Sequence, residues 1–233
     1  MNDNIHTHPE RSIVRYRSAT RINHWLVAIC FVLAALSGLA MFHPAMFWLS
    51  NVFGGGPWTR VLHPFIGVAM VLLFTGLAVK FWADNYLKDR DWEWLRRIFD
   101  VINNREDRLP EVGKYNAGQK LLFFTLVACL TGLLLTGVVI WRAYFSAFFP
   151  IEIIRLAALL HAACAFVLIS AIIVHIYAAI WVKGSVTAMT RGTVTPGWAW
   201  KHHRLWFRES AGRDGQVAAR IAHGATRSRA GSD

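Results

Sequence analysis

Charge is scarce in this chain, cysteine is scarcer, and the spans described below hold no carboxylate. Charged residues make up 17% of the 233 positions, too few to coat a soluble protein of this size. The three cysteines, Cys30, Cys129 and Cys164, have no CxxC spacing. That excludes a disulfide framework and the usual iron–sulfur and zinc motifs, and leaves them as small polarizable packing residues. No repeat of about 50 residues signals a solenoid, and no segment reads as a soluble catalytic domain.

What the chain does have is apolar residues, 55% of the total, gathered into four long blocks: 24–42, 61–82, 120–141 and 156–182. About 20 apolar residues in an α-helix cross a hydrocarbon core of roughly 30 Å. Backbone groups cannot face lipid unpaired, so each block is expected to be a complete helix. The first is too long for a signal-peptide core and has no convincing small-residue cleavage site after it, so it reads as retained. The fold class is therefore all-α: an integral membrane, up-and-down four-helix bundle. Trp25, Trp48, Trp58, Trp82, Trp141 and Trp181 lie at or near span ends, where an aromatic belt forms.

The net charge is +11, which by itself suggests nucleic acid, but its distribution does not. The segments before the first span, between the second and third, and after the fourth hold four, seven and nine Lys/Arg. The two remaining loops hold only Arg60, Arg142 and Arg155. This positive-inside alternation puts both termini and the 83–119 connection in the cytoplasm, and the basic excess reports topology and anionic lipid contact. The expected domains are a cytoplasmic segment 1–20, a membrane domain 21–209 and a disordered Gly/Ser/Arg/Ala-rich tail 210–233. In the 83–119 connection, Trp92, Trp94, Leu95, Ile98 and Phe99 repeat at helical spacing, the mark of an amphipathic interfacial helix.

Ten histidines are present. His6, His8, His202, His203 and His223 sit in polar tails and read as solvated. His43 precedes Pro44 in an outer loop and takes no role. His24, His63, His161 and His175 lie within or at the edge of apolar blocks, where an ionisable group is costly and needs a reason. Topology sorts them into two depths: His24 with His175 near the cytoplasm, His63 with His161 near the opposite face. Fourteen residues of helix separate His161 from His175, an advance of about 21 Å that ends within roughly 40° of whole turns. Both therefore share one face, each opposite a histidine from another helix. Paired imidazoles at one depth of a bundle core suit bis-histidine heme iron, and two such pairs mean two b-type hemes. Zinc would want three or four ligands together. Two axial nitrogens leave iron no open position, so electron transfer is implied and oxygen binding is not.

Other residues fit with less discrimination. Gly67, four residues past His63 on the same face, lets a porphyrin approach. Arg21 and Arg60 each precede a histidine by three residues and are placed for heme propionates, or equally for snorkelling to the interface. Gly38, Gly132 and Gly137 serve equally as helix-packing glycines. Asn116 and Gln119, at the cytoplasmic start of the third span, either cap that helix or offer neutral amides to a polar ligand.

These residues include the marks of a known family. Arg21-Ile22-Asn23-His24-Trp25, Leu62-His63-Pro64-Phe65, Gly113-Lys114-Tyr115-Asn116-Ala117-Gly118-Gln119-Lys120, and His161 with His175 fourteen apart resemble the cytochrome b, or gamma, subunit of respiratory formate dehydrogenases over about residues 11–208. The histidine set is shared more widely, with hydrogenase and thiosulfate-reductase cytochromes b; the Lys-Tyr-Asn-Ala-Gly-Gln-Lys stretch discriminates better. The resemblance implies two b hemes on His24, His63, His161 and His175. It also implies a quinone, menaquinone or ubiquinone, reduced near the cytoplasmic heme, in a pocket mapping to Asn116, Gly118, Gln119 and the neighbourhood of His175. The partners it implies are an iron–sulfur beta subunit with its own membrane helix and a molybdenum or tungsten catalytic alpha subunit. The setting is the bacterial inner membrane, with lipid but no nucleic acid as partner. The alternatives are the cytochrome b subunit of a periplasmic nickel–iron hydrogenase and, in a different class, a heme-free membrane anchor.

Overall fold

The structure is a computed structural model that describes residues 12–103, 105 and 108–210. The expected tail 210–233 lies outside the described residues except for Ser210, as does most of the segment 1–20. His6, His8 and His223 lie outside them too.

Among the described residues, four helices are long and apolar enough to cross a membrane: α1 (Ser18–Phe42), α2 (Gly56–Phe81), α5 (Ala117–Ile140) and α6 (Ile151–Trp181). Shorter pieces are β1 (Ile13–Val14), α3 (Asp89–Arg96), α4 (Ile98–Ile102), α7 (Ser185–Thr190), β2 (Thr193–Val194) and α8 (Pro196–His202). Each long helix ends within a residue of its apolar block but starts three to six residues before it. Hydropathy marks the apolar stretch, whereas the helix continues for as long as its backbone bonds do. Pro57 in the first turn of α2 and Pro150 at the N-cap of α6 favour two of those earlier starts, since proline's missing N–H costs nothing there.

The chain divides into two compact units. The larger, residues 15–85 and 120–192, holds most of the helical mass. Its core is Met70 and Phe74 of α2, Cys129 and Leu130 of α5 and Leu168 of α6, with Val27, Cys30, Phe31 and Ala34 of α1 packed against it. All four long helices thus meet in one apolar cluster. Elsewhere their surfaces remain apolar and exposed, as at Leu72, Val79, Leu135, Phe166 and Ile180, which is what lipid-facing helices require.

At one end of this unit, the start of α1 clasps the end of α7. Arg21 donates from Nη1 to the Thr190 carbonyl at 2.9 Å, and the Trp25 indole N–H donates to the Met189 carbonyl at 3.2 Å. Gly192 follows with φ of 87°, and its carbonyl accepts from the amides of Arg15 and Tyr16 at 2.8 and 3.1 Å. Between α1 and α2 the chain forms a 3-10 segment, Pro44–Phe53.

The smaller unit comprises, among the described residues, 12–14, 86–103, 105, 108–119 and 193–210. Within it, β1 and β2 pair antiparallel through Ile13 with Val194 and Val14 with Thr193. The single amphipathic helix expected here is two short helices broken at Arg97, whose backbone leaves the helical region. That guanidinium bonds the Glu93 carboxylate at 2.8 Å and the Arg108 carbonyl, bonds that tie the break to the chain beyond. Trp94 is buried against Val112 and Ala117, while Trp92 and Phe99 stay exposed. His203 is a second departure from expectation: it is buried, not solvated. Its Nδ1–H donates to the Gly113 carbonyl at 2.8 Å, and next to it the Leu205 amide donates to the Val112 carbonyl at 3.3 Å. A bidentate pair of Arg208 with Glu111, both contacts 2.9 Å, continues the tie.

Candidate heme sites

Each imidazole is placed by a different stretch of helix. His24 sits in the second turn of α1, His63 in the second turn of α2, and His161 and His175 on α6. The structure brings them together in two pairs. Ring centroids are 6.4 Å apart for His24 and His175 and 6.3 Å for His63 and His161, with interplanar angles of 58° and 65°. An imidazole nitrogen lies about 2 Å from a bound transition metal; with the ring radius added, two imidazoles on opposite sides of one ion have centroids roughly 6 Å apart. The pairs fit that spacing. Among the described residues no group of three or more His, Cys, Asp or Glu is placed to hold a metal ion, so the donor set matches a bis-imidazole centre rather than a zinc cage.

The two pairs differ in their surroundings. The Ser37 hydroxyl lies 2.8 Å from His63 Nδ1, and the Thr136 hydroxyl 2.9 Å from His161 Nδ1. The next residue in each helix is a glycine against the same ring: a Cβ on Gly38 would stand 3.3 Å from His63 Cε1, and one on Gly137 3.4 Å from His161 Cε1. Sequence reasoning missed Ser37 and Thr136 and read Gly38 and Gly137 as general packing residues. A hydroxyl-glycine pair is not diagnostic, because Thr75-Gly76 is another and the Thr75 hydroxyl bonds only the Val71 carbonyl. Around the other pair, His24 Nδ1 is buried with no hydrogen-bond partner among the described residues.

Gly67 faces open space: among the described residues, nothing lies within 4 Å of where its Cβ would be. Arg60, with His43, Phe47, Ser50 and Thr59, lines a pocket of about 430 Å³ together with Ala40 and Met41 of α1. Arg21 is engaged with Thr190 as described, and its Nε is buried without a partner among the described residues. Asn116, Gly118 and Gln119 belong to the smaller unit and His175 to the larger. Asn116 and Gln119 cap one another: the Asn116 amide donates to Gln119 Oε1 at 3.0 Å, and the Gln119 amide to Asn116 Oδ1 at 2.9 Å. This is the reciprocal capping box of a helix start. It uses both carbonyl oxygens and leaves the two NH2 groups outside the cap. Gly118 packs beside Trp94, whose ring would lie 3.3 Å from an added Cβ.

Membrane-length helices carrying facing imidazole pairs define the class of membrane cytochromes b. A family model described as prokaryotic cytochrome b561 matches residues 15–192. The cytochrome b556(Fdn) subunit of the nitrate-inducible formate dehydrogenase of Escherichia coli K12 is 44% identical over 199 residues, covering 85% of this chain and 92% of that one. The cytochrome b556(fdo) subunit of a formate dehydrogenase from the same strain is 46% identical over 198 residues, covering 85% and 93%. The Haemophilus influenzae formate dehydrogenase cytochrome b556 subunit is 43% identical over 197 residues, covering 84% and 83%. The chain belongs to the prokaryotic cytochrome b561 family and, within it, to the cytochrome b subunits of formate dehydrogenases. It is a multi-pass membrane protein of that family, and membership brings a b-type heme.

Proposed function

We propose that this chain is the di-heme membrane subunit of a respiratory formate dehydrogenase, carrying electrons across the bacterial inner membrane to a quinone. The observation that carries the reading is the pair of histidine pairs: two facing sets of rings at nearly one separation, each sharing α6. Its four spans form an up-and-down bundle with both termini in the cytoplasm, as the loop charges require. His24 and His175 hold the heme nearer the cytoplasm, and His63 and His161 the one nearer the periplasm.

When bound, b-type heme supplies reversible one-electron storage without opening a coordination position. The protein does the rest. Its imidazoles fix depth and axial geometry, its apolar helices exclude water, and Gly67 leaves one face of α2 bare for the porphyrin. Arg60 in its pocket meets propionate charge on the outer side, and the part of the Arg21 guanidinium not bound to Thr190 does so on the inner. Electrons enter from an iron–sulfur subunit with its own membrane helix, which is fed by a molybdenum- or tungsten-dependent catalytic subunit. They leave to menaquinone or ubiquinone at the level of His24 and His175, with Asn116, Gly118 and Gln119 as the quinone-binding segment.

Dithionite-reduced minus oxidised spectra of the purified chain, with heme counted per polypeptide, test this. Two hemes are expected, with one lost in His24→Ala or His175→Ala and the other in His63→Ala or His161→Ala. Preparations with all four substitutions that kept both hemes would end the ligand assignment.

A further inference from the structure

We infer that Ser37 and Thr136 are paired positioning residues which fix the tautomer and ring orientation of His63 and His161 and so hold the outer heme at a lower potential than its axial ligands alone would give. The inference rests on the proposed heme ligation and concerns only the outer pair.

Counting donors assigns the proton. Each hydroxyl carries a single proton and two lone pairs. Ser37 sits 2.8 Å from the Leu33 carbonyl, four residues back, and Thr136 sits 2.6 Å from the Gly132 carbonyl, also four back. Carbonyls only accept, so each hydroxyl proton goes to its own helix, the common back-bond of Ser and Thr in apolar helices. What remains on each oxygen is acceptor capacity, directed at Nδ1 of the facing histidine at 2.8 and 2.9 Å. The hydrogen between them therefore belongs to Nδ1. With Nδ1 protonated, the neutral imidazole leaves Nε2 bare as its lone-pair donor, which is the state a metal requires.

Geometry supports a device rather than a coincidence. Ser37 is completely buried. The two hydroxyls come from different helices, α1 and α5, and meet rings on two others, α2 and α6. In both cases the following glycine lies against Cε1 of the same ring. Hydroxyl and glycine together grip one edge of the imidazole, the first by a hydrogen bond and the second by close backbone approach. The inner pair is without this on the His24 side, where Nδ1 is buried without a partner among the described residues.

A histidine that donates its second N–H is a more basic ligand. It stabilises the ferric state relative to the ferrous, which lowers the midpoint. Polarising both ligands of the outer heme therefore sets its midpoint below the value it would have without the two hydroxyls.

The test uses Ser37→Ala, Thr136→Val and their double variant, with Ser37→Thr and Thr136→Ser as hydroxyl-retaining controls, all in the full chain. Readouts are heme per polypeptide, potentiometric titration of the reduced α-band, and low-temperature EPR of the ferric protein, whose g-values report the relative orientation of the imidazole planes. The expected result is an upward shift of one midpoint, larger in the double variant, together with a change in one of two low-spin signals; the other heme stays put and the controls match wild type. Loss of the outer heme alone supports the inference as well. Two unshifted midpoints with unchanged g-values would reduce the hydroxyls to helix back-bonds and overturn it. Equal shifts at both hemes, or loss of both together, would overturn it too, since the effect would then not be local. A wild-type chain binding no heme fails the proposed function instead, an outcome visible before any hydroxyl is changed.

Discussion

Replacing Gly67 with leucine tests where the porphyrin lies more directly than removing a ligand does. An added Cβ at Gly67 meets nothing within 4 Å, so in the heme-free chain the side chain has room. Leucine is also the better helix former by roughly 0.8–1 kcal/mol, and it favours the bilayer at mid-span. Folding and insertion should therefore proceed. If that space belongs to the outer heme, leucine overpacks it, at about 1–3 kcal/mol for a crowded apolar site. That converts to a loss of heme affinity of roughly 5- to 150-fold. The assay is heme transfer from detergent-solubilised protein to an excess of apo-globin, followed in time. Wild type should release two hemes slowly; Gly67→Leu should release one of them 5- to 150-fold faster and the other at the wild-type rate. Gly132→Ala is the contrasting control. There a Cβ would stand 2.9 Å from Cys164 Sγ, so the strain falls between α5 and α6. Because α6 carries a ligand for each site, both hemes should loosen. Wild-type release of both hemes from Gly67→Leu would refute the placement, and so would equal acceleration of both.

Three further outcomes follow from individual contacts in the structure. Asn116→Asp keeps an oxygen for the Gln119 amide and so preserves the helix cap, but it removes the NH2 donor; quinone turnover should fall with heme spectra unchanged, and undiminished turnover would leave Asn116 a cap only. Gly192→Ala forces a side chain onto a backbone at φ 87° and puts its Cβ 2.6 Å from the Tyr16 carbonyl; a cost of at least 1–2 kcal/mol should appear as a lower midpoint of thermal inactivation, and an unshifted midpoint would show that the clasp has slack. Arg208→Ala breaks a solvent-exposed ion pair with Glu111 and should change stability by less than about 1 kcal/mol, an effect that shrinks further at high salt.

How much of this was legible in the sequence depended on whether a residue announces itself by type or only by neighbour. Four apolar blocks and a charge alternation are long-range composition signals, and they led directly to four membrane-length helices. The histidine pairing was legible because α-helical geometry is rigid: fourteen residues on one helix fix both depth and face. The helix starts were missed because hydrogen bonding outruns hydropathy at interfaces. His203 was misread because its burial depends on the Gly113 carbonyl, 90 residues away in the chain. Ser37 and Thr136 were invisible for a similar reason. In an apolar span a hydroxyl back-bonds to its own helix wherever it occurs, and only the facing ring separates Thr136 from Thr75. The double nature of Asn116 and Gln119 stays in the structure too, because the same two side chains that cap α5 present spare amide donors.

The arrangement between the two histidine levels bears on what this subunit can conduct. Leu168 lies seven residues from His161 and seven from His175, two turns from each, and so midway between them on the same face. Met70, Phe74, Cys129 and Leu130 close around it, all buried. From residue 22 to 42, 61 to 79, 121 to 140 and 156 to 181, no span contains a carboxylate, ammonium or guanidinium. A proton crossing this layer would need a chain of titratable side chains or water held by polar partners, and besides apolar groups the layer offers only the thiols of Cys30 and Cys129, too few for either. An electron needs only two sites held apart at fixed distance. On the proposed reading the subunit therefore passes electrons and blocks protons, so protons for quinone reduction must come from the side on which His24 and His175 lie. Charge separation then follows from which face each half-reaction uses, with no moving part in the bundle.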